Sequence, residues 1–170
     1  QPLQRRDVPG AHLRAGLLCS RRRAARAVAR RRISFKYKKN LILNAGNSGT
    51  LARLILGLLI TSPFKIKLIG DKSLSKRDFL RITKPLEKFG ANFKTYSGKL
   101  PITINGTNYP KPIRYHESKG SAQCKSAVML AALNTEGKTI IKAKKSRNHT
   151  ELLFKYLKLP IKIIKKANCD

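Results

Sequence analysis

Two short stretches of the sequence combine small, hydroxyl and cationic residues in a way that suits the binding of a small anion. They are GNSGTLAR at 46–53 and GDKSLSKR at 70–77. Small residues such as Gly46 and Gly49 let backbone N–H groups and the positive end of a helix approach an anion closely. Arg77 can clamp a carboxylate or a phosphate with two hydrogen bonds. Each stretch taken alone is more typical of an ordinary helix cap or a solvated basic turn, and neither matches a common nucleotide-binding fingerprint.

The same residue types recur at two later positions, each at the start of a predicted helix. Ser121, Gln123 and Lys125 follow a glycine at the start of one helix. Ser146, Arg147 and His149 lie at the start of the last predicted helix. Such recurrence is improbable if every one of these helix starts is an ordinary cap, so we predict that they converge on one anionic ligand. The sequence shows no Ser/His/Asp arrangement and no pair of catalytic carboxylates. It therefore predicts binding groups, and no catalytic residue, in this chain.

An internal repeat supplies the elements that hold these loops. A shift of 74 residues places Gly46–Ile60 over Gly120–Asn134, and each of these apolar runs predicts a buried helix. The same shift superimposes residues 64–70 on 138–144 as short strands, and a second helix follows each strand. Residues 91–96 and 100–106 predict a β pair joined by Ser97 and Gly98. The sequence thus predicts an α/β fold with tandem units at about 46–108 and 120–164.

Local signals mark the second helix of each unit. The first of these helices has an apolar stripe that stops at Gly90. The stripe consists of Phe79, Ile82, Leu86 and Phe89. Both second helices are predicted to begin with an N-cap residue and a capping-box partner three residues later. The predicted pairs are Ser75 with Asp78 and Asn148 with Glu151. Lys76 and Arg77 are accordingly expected at the start of the helix that follows Ser75.

The first 35 residues differ in composition from the rest of the chain. Residues 1–33 contain 10 Arg and no Lys, whereas residues 34–170 contain 23 Lys and 5 Arg. An RNA-binding arm, an organelle transit peptide and a segment foreign to the fold all match such a head, and we favour the last. We predict that residues 1–35 are a head that is disordered or foreign to the fold, and that residues 36–170 form the folded part.

Charge and cysteine content narrow the class of partner without choosing it. With 38 Lys plus Arg against 8 Asp plus Glu, the formal net charge is +30. Nucleic acid, an anionic membrane and a phosphorylated metabolite are all partners that such a charge attracts. The 3 cysteines contain no C-x-x-C pair, which argues against a disulfide framework and a structural zinc site. We predict no metal and a reducing compartment, and no apolar run reaches the length of about 18 residues that a membrane-spanning helix needs.

Four motifs together resemble one enzyme family. GNSGTLAR, GDKSLSKR, SAQCKSA and SRNHTE occur here in the order found in 5-enolpyruvylshikimate-3-phosphate synthase, over about residues 40–160. The resemblance implies two domains, each of three β-α-β-α-β-β units, with the active site between them. The chain would then be one incomplete domain of the two. The implied reaction, a step in the shikimate pathway of aromatic amino acid biosynthesis, transfers the enolpyruvyl group of phosphoenolpyruvate to the 5-hydroxyl of shikimate 3-phosphate without metal or organic cofactor.

The resemblance also implies which residues meet each substrate. The phosphoenolpyruvate contacts would be Asn47, Gly49, Arg77 and Gln123, and the shikimate 3-phosphate contacts would be Ser121, Ala122, Gln123, Ser146 and Arg147. The family's early Lys-Ser motif, and its second domain with the acid-base residues, have no counterpart in these residues. We therefore expect a fragment that does not turn over alone, from a parent enzyme that is monomeric and cytoplasmic.

Two alternative functions remain beside this interpretation. The first is a relative of the transferase that acts on UDP-N-acetylglucosamine, which shares the architecture but is less similar in the SAQ and SRNHTE motifs. The second is a basic nucleic-acid-binding protein. Aromatic residues make up only 6% of the chain, which counts against the stacking platforms that single-strand binding usually employs.

Overall fold

The structure, a computed structural model, describes residues 39–164, all of which lie in the unit Ile33–Asp170. In chain order the elements are β1 (Leu41–Asn44), α1 (Gly49–Leu58), a 3-10 turn (Leu59–Thr61), β2 (Ile66–Ile69), α2 (Lys72–Ser75), α3 (Leu80–Glu87), β3 (Asn92–Tyr96), β4 (Lys99–Asn105), β5 (Arg114–Glu117), α4 (Ala122–Leu133), β6 (Ile140–Ala143) and α5 (His149–Tyr156). This order confirms the predicted α/β fold. The prediction for residues 1–35 falls outside the described residues and stays a prediction.

The first repeat, from β1 to β4, forms a four-stranded sheet in the order β1-β2-β4-β3. β1 and β2 are parallel, so the chain needs a crossover between them, and α1 provides it. β4 runs antiparallel to both β2 and β3. The turn between β3 and β4 has positive φ at Ser97 (49°) and Gly98 (73°), which suits the right-handed twist of a tight hairpin. The predicted β pair is therefore confirmed.

The core of the first repeat lies between this sheet and its helices. The predicted apolar stripe on α3 is buried throughout: Phe79, Ile82, Leu86 and Phe89 are each at most 1% exposed. The helix α3 ends at Glu87, three residues before the predicted stop, and Gly90, with φ of 105°, lies in the turn that follows it. α1 is buried on one side only, because Leu51 remains 49% exposed. None of the helices in the described part of the chain is both long and apolar enough to cross a membrane.

The second repeat runs from β5 to α5 and contains a two-stranded parallel sheet of β5 and β6. α4 is its crossover helix and packs against α1 of the first repeat. The two helices approach so closely at Gly57 that a Cβ there would overlap the main chain of Ala127. Gly57 therefore permits the tight packing that joins the two repeats.

The start of the second helix in the first repeat differs from the prediction. The GDKSLSKR stretch forms the short helix α2, which is capped by Asp71 and not followed directly by α3. Ser75 caps neither helix, and Phe79 occupies the N-cap of α3 without a side-chain hydrogen bond. Lys76 and Arg77 consequently lie in the connection between α2 and α3. Asp71 provides the capping acceptor for α2, and the first N–H of α3, on Leu80, donates to Asp78 Oδ1 at 2.8 Å.

The corresponding start in the second repeat is correct in position but not in chemistry. Asn148 is the N-cap residue of α5, yet its side chain makes no capping hydrogen bond. Glu151, expected at a capping or surface position, is 9% exposed and forms an ion pair with Lys125 of α4. The carboxylate is thus engaged across the helix interface and is not available for a capping box. Lys125, which was predicted among the anion-binding groups, is buried in the same ion pair and does not face a ligand.

The repeat spacing is also less uniform than the constant shift of 74 residues. β2 and β6 begin 74 residues apart, whereas the cap residues Ser48 and Ser121 are 73 apart. The second repeat therefore contains one additional residue between the N-cap of its first helix and the start of its second strand. The helix α4 has 12 residues whereas α1 has 10, so the difference does not lengthen the connecting segment.

Candidate functional site

The loop from β1 to α1 is fixed in conformation by hydrogen bonds between its own side chains and backbone. Asn44 Oδ1 accepts a hydrogen bond of 2.9 Å from the backbone of Gly46, whose φ of 54° lets the chain turn. Ser48 caps α1 by accepting a hydrogen bond of 3.1 Å from Leu51 N. The first N–H groups of a helix have no acceptor within it, so this end of α1 presents donors and a positive dipole to a ligand.

Two guanidinium groups lie over the start of α1 because residue 49 is glycine. Arg77 Nη2 donates to Asn47 Oδ1 at 3.4 Å. A Cβ on Gly49 would lie 2.8 Å from Arg77 Nη1 and 3.0 Å from Arg53 Nη1. The structure thus brings together three of the four predicted phosphoenolpyruvate residues. We name Asn47, Gly49, Arg53 and Arg77 the arginine cluster.

Gln123, the fourth predicted residue, connects the two repeats. Its Oε1 accepts a hydrogen bond of 2.8 Å from Arg53 Nη1, and its Nε2 donates to Thr50 Oγ1 at 2.8 Å. Arg53 also lies over the ring of Phe79, 5.5 Å from the ring centroid. Sequence reasoning did not assign Arg53 to the site. The one signal for it was its spacing, one helical turn after Gly49.

The predicted shikimate 3-phosphate residues line one cavity of about 460 Å³, which we name the serine cavity. Its lining residues are Gly120, Ser121, Ala122, Gln123, Ser146 and Arg147. Ser121 caps α4 by accepting a hydrogen bond of 3.3 Å from Cys124 N. Ser146 Oγ is buried and has no hydrogen-bond partner among residues 39–164. Buried hydroxyls are almost always paired, so this hydroxyl is a candidate donor of a hydrogen bond to a ligand oxygen.

A second cavity of the same size adjoins the serine cavity and shares Ser121 and Gln123 with it. Its other lining residues are Arg53, Asp78, Arg81, Ile82 and Cys124. Arg53 and Arg81 therefore line a cavity beside the predicted site. Their charges suit a ligand with more than one anionic group.

Glu117, at the end of β5, shapes the loop that carries Ser121 and was not predicted. Its side chain is 4% exposed. The carboxylate accepts hydrogen bonds from Ser121 N at 2.8 Å and Lys119 N at 3.2 Å, and it pairs with Arg81 at 3.4 Å. These donors compensate its charge, so it does not oppose an anion in the neighbouring cavity. Nothing in the sequence distinguishes it from an ordinary glutamate at the end of a strand.

Tyr115, on β5, has a phenol that ionises at higher pH than an ordinary tyrosine. Burial first, and then the nearby Cys124 and Glu117, raise its pKa to about 12 against the opposing effect of Arg81. The phenol thus stays protonated near neutral pH.

Among residues 39–164, no group of three His, Cys, Asp or Glu side chains could hold a metal ion.

The family comparison covers almost the whole chain. The model of the family EPSP synthase (3-phosphoshikimate 1-carboxyvinyltransferase) matches residues 12–169. The match begins inside the predicted head, whose nature stays a prediction.

Similar proteins are known by sequence and by structure. The 3-phosphoshikimate 1-carboxyvinyltransferase of Paracoccus denitrificans is 48% identical over 112 residues, which are 65% of this chain and 25% of that protein. The same enzyme of Caldicellulosiruptor bescii is 47% identical over 124 residues, 71% of this chain and 29% of that protein. EPSP synthase from Acinetobacter baumannii superimposes with a TM-score of 0.68 at 36% identity, covering 79% of this chain and 30% of that one.

The chain therefore spans between a quarter and a third of the length of these relatives. Their names favour the predicted family over a UDP-N-acetylglucosamine transferase and over a nucleic-acid-binding protein.

Proposed function

The chain belongs to the EPSP synthase (3-phosphoshikimate 1-carboxyvinyltransferase) family, and we propose that it provides the part of such an enzyme that binds shikimate 3-phosphate and the charged groups of phosphoenolpyruvate. The observation that carries the proposal is the serine cavity with its buried, unpartnered Ser146 Oγ. Arg147 lines the same cavity and supplies a positive charge. A phosphate group satisfies both residues at once, because it offers several strong acceptor oxygens.

The two substrates divide between the two groups of residues. We assign shikimate 3-phosphate to the serine cavity, with Ser121, Ala122, Ser146 and Arg147 as its contacts. We assign phosphoenolpyruvate to the arginine cluster, where Arg77 and the start of α1 face it. Gln123 lies at the junction, hydrogen-bonded to Arg53 and Thr50, and in this arrangement it can reach both ligands.

The reaction we propose for the enzyme is enolpyruvyl transfer. The 5-hydroxyl oxygen of shikimate 3-phosphate bonds to C2 of protonated phosphoenolpyruvate, and phosphate then leaves from the tetrahedral intermediate. The arginines and helix starts of this chain hold the charged groups in place and stabilise the charge that develops. We assign no acid or base of the reaction to this chain. A cytoplasmic location and a monomeric parent enzyme are parts of the proposal that rest on the resemblance.

The proposal is tested by titrating the isotope-labelled 170-residue chain with each substrate and following its amide resonances. Shikimate 3-phosphate is expected to shift residues 120–123 and 146–147, and phosphoenolpyruvate is expected to shift residues 47–50 and Arg77. Arg147→Met should weaken shikimate 3-phosphate binding by about ten- to a hundredfold, the loss of one charge-assisted hydrogen bond. Arg114→Met is the matched control, because Arg114 is exposed on β5 and lines neither cavity.

Three results would contradict the proposal. The first is the absence of any shift with either substrate at millimolar concentration. The second is tight RNA binding at physiological salt through the same residues. The third, turnover of the two substrates by this chain alone, would show that acid-base residues lie within it.

A further inference from the structure

A buried ion pair joins the two helices that follow the loops of the serine cavity. Lys125 Nζ of α4 lies 2.5 Å from Glu151 Oε1 of α5, and the two side chains are 5% and 11% exposed. Lys125 is one helical turn after Ser121, and Glu151 lies in the first turn of α5, four residues after Arg147. The pair therefore connects the two helices close to the ends from which the cavity is built.

A second contact lies beside the first. The hydroxyls of Ser126 and Thr150 share a hydrogen bond of 2.6 Å. Two adjacent residues of α4 thus meet two adjacent residues of α5, which fixes both the spacing and the rotation of the helices. We name Lys125, Ser126, Thr150 and Glu151 the helix clasp. None of the four lines the serine cavity.

The energetics of the ion pair indicate that stability is not its main contribution. Two buried charges lose their hydration, and their attraction offsets this loss only when further hydrogen bonds satisfy the remaining polar atoms. Glu151 Oε2 is buried and has no hydrogen-bond partner in the described part of the chain. Apolar side chains of similar volume would therefore stabilise this interface about as well. What they would lack is a defined direction of contact, because hydrophobic burial is non-directional.

We propose that the helix clasp consists of positioning residues, which set the distance between the two walls of the serine cavity and so determine its affinity for a phosphate group. One wall, residues 120–123, is continuous with α4, and the other, residues 146–147, leads directly into α5. A shift of α5 on α4 moves Ser146 and Arg147 relative to Ser121. The identity of the ligand rests on the proposed function, whereas the effect on the two walls does not.

The test separates stability from positioning by comparing a single with a double variant. Glu151→Gln leaves Lys125 charged and without its partner, so we expect a large fall in the melting temperature. Lys125→Met combined with Glu151→Leu removes both charges and should restore that temperature. Its dissociation constant for shikimate 3-phosphate should nevertheless stay about tenfold above that of the wild type, and its constant for phosphoenolpyruvate should be unchanged. Glu87→Gln and Lys155→Met, at exposed positions of α3 and α5, are the matched controls.

A measurement without ligand keeps the test independent of the proposed function. The amide resonances of residues 120–123 and 146–147 should shift in the double variant, while those of residues 47–50 should not. Thr150→Val should shift the same two walls less, and Thr150→Ser, which keeps the hydroxyl, should return them to the wild-type positions.

The inference is overturned if the double variant regains stability together with wild-type amide shifts in both walls. It is also overturned if shikimate 3-phosphate affinity recovers with stability. If the wild-type chain binds neither substrate while the double variant still shifts both walls, the proposed function fails and the positioning role stands.

Discussion

The two repeats have the same order of elements up to their second helix but differ in what their interiors contain. Among the described residues, the buried charged side chains all belong to the second repeat; they are Glu117, Lys125 and Glu151. The first repeat buries only the uncharged polar residues Ser62 and Thr83. Among the largest fully buried side chains in the described part of the chain, only Val128 belongs to the second repeat. The first repeat is thus held mainly by apolar packing, whereas the second adds buried charged contacts to a smaller apolar core.

The two repeats accordingly position their parts of the site by different interactions. In the first repeat, a rigid apolar core carries α1, and the absence of a side chain at Gly49 leaves room for two guanidinium groups. In the second repeat, Glu117 holds the loop before α4, and the helix clasp holds α5. Apolar burial gives stability in proportion to area, whereas polar networks specify geometry. The two parts of the site should therefore respond differently to substitution.

The largest effect is expected in the apolar repeat, from Phe79→Ala. Phe79 is 0% exposed, and its removal leaves a cavity beneath Arg53 as well as losing hydrophobic burial. The free energy of unfolding should fall by about 3–5 kcal/mol, measured by urea denaturation. Tyr96→Ala is the control, because Tyr96 is an aromatic residue that is 82% exposed. If Phe79→Ala lowers the free energy of unfolding no more than Tyr96→Ala does, apolar packing is not what stabilises the first repeat.

The next effect is expected in the polar repeat, from Glu117→Gln. The amide has the shape of the carboxylate, but its NH2 group faces one of the two backbone N–H groups that donate to Glu117. The substitution also removes the negative charge that pairs with Arg81. The free energy of unfolding should fall by about 2–3 kcal/mol, with amide shifts centred on Lys119 and Ser121. Glu87→Gln makes the same change at an exposed position. Equal stability in the two variants would mean that packing alone holds the second repeat.

A smaller and more selective effect is expected from Gly49→Ala. Alanine is favoured at a helical position, so stability should be unchanged or slightly higher. The added Cβ would displace the guanidinium groups of Arg77 and Arg53, which lie 2.8 and 3.0 Å from its position. Calorimetry should show phosphoenolpyruvate affinity about tenfold weaker and shikimate 3-phosphate affinity unaltered. Leu51→Ala, at an exposed position two residues later, should alter neither affinity. A loss of both affinities would show that the two repeats do not position their ligands independently.

The smallest effect concerns Tyr115, which senses the polar interior. Its pKa of about 12 in the folded chain exceeds the ordinary value of 10.0. The folded state therefore holds this proton where the unfolded state releases it, so the contribution to stability is complete below pH 10 and is lost as the pH rises from 10 to 12. Phenolate absorbance should show a late-titrating group that is absent in Tyr115→Phe. Glu117→Gln should lower this pKa, and no change there would remove Glu117 as one of its causes.

Much of the fold could be predicted because its signals are local. The apolar stripe beside α3, the turn at Ser97 and Gly98, and the strands β2, β3, β4 and β6 follow from periodicity and turn chemistry within a few residues. The strands β1 and β5 lie before the predicted units and were not predicted. Two predictions about helix starts failed, for different reasons. Ser75 is not an N-cap residue, because Asp71 caps α2 and Asp78 accepts the hydrogen bond from the first N–H of α3. Glu151 was misplaced because its partner Lys125 lies in another helix.

The candidate site divides in the same way. The motifs identified Asn47, Gly49, Arg77, Ser121 and Arg147 as candidates, because glycine, hydroxyl and guanidinium groups at helix starts suit anions wherever the helices lie. Arg81 and Glu117 carry no such signal, and Arg53 carries only its spacing of one helical turn after Gly49. Their importance comes from what they contact, and those contacts join residues 70, 36 and 4 positions apart.

The amino-acid sequence was enough to predict most of the helices and strands, the repeat and the family to which the chain belongs. It did not predict β1, β5 or the separation of α2 from α3. Tertiary structure alone decided that Gln123 meets Arg53 and Thr50, that a Cβ at Gly49 would collide with two arginines, and that a lysine and a glutamate pair out of water. The physical reason is that element formation depends on neighbours along the chain, whereas the meeting of side chains depends on how α4 packs against α1 and α5. That packing depends on the whole set of buried contacts, which no short motif contains.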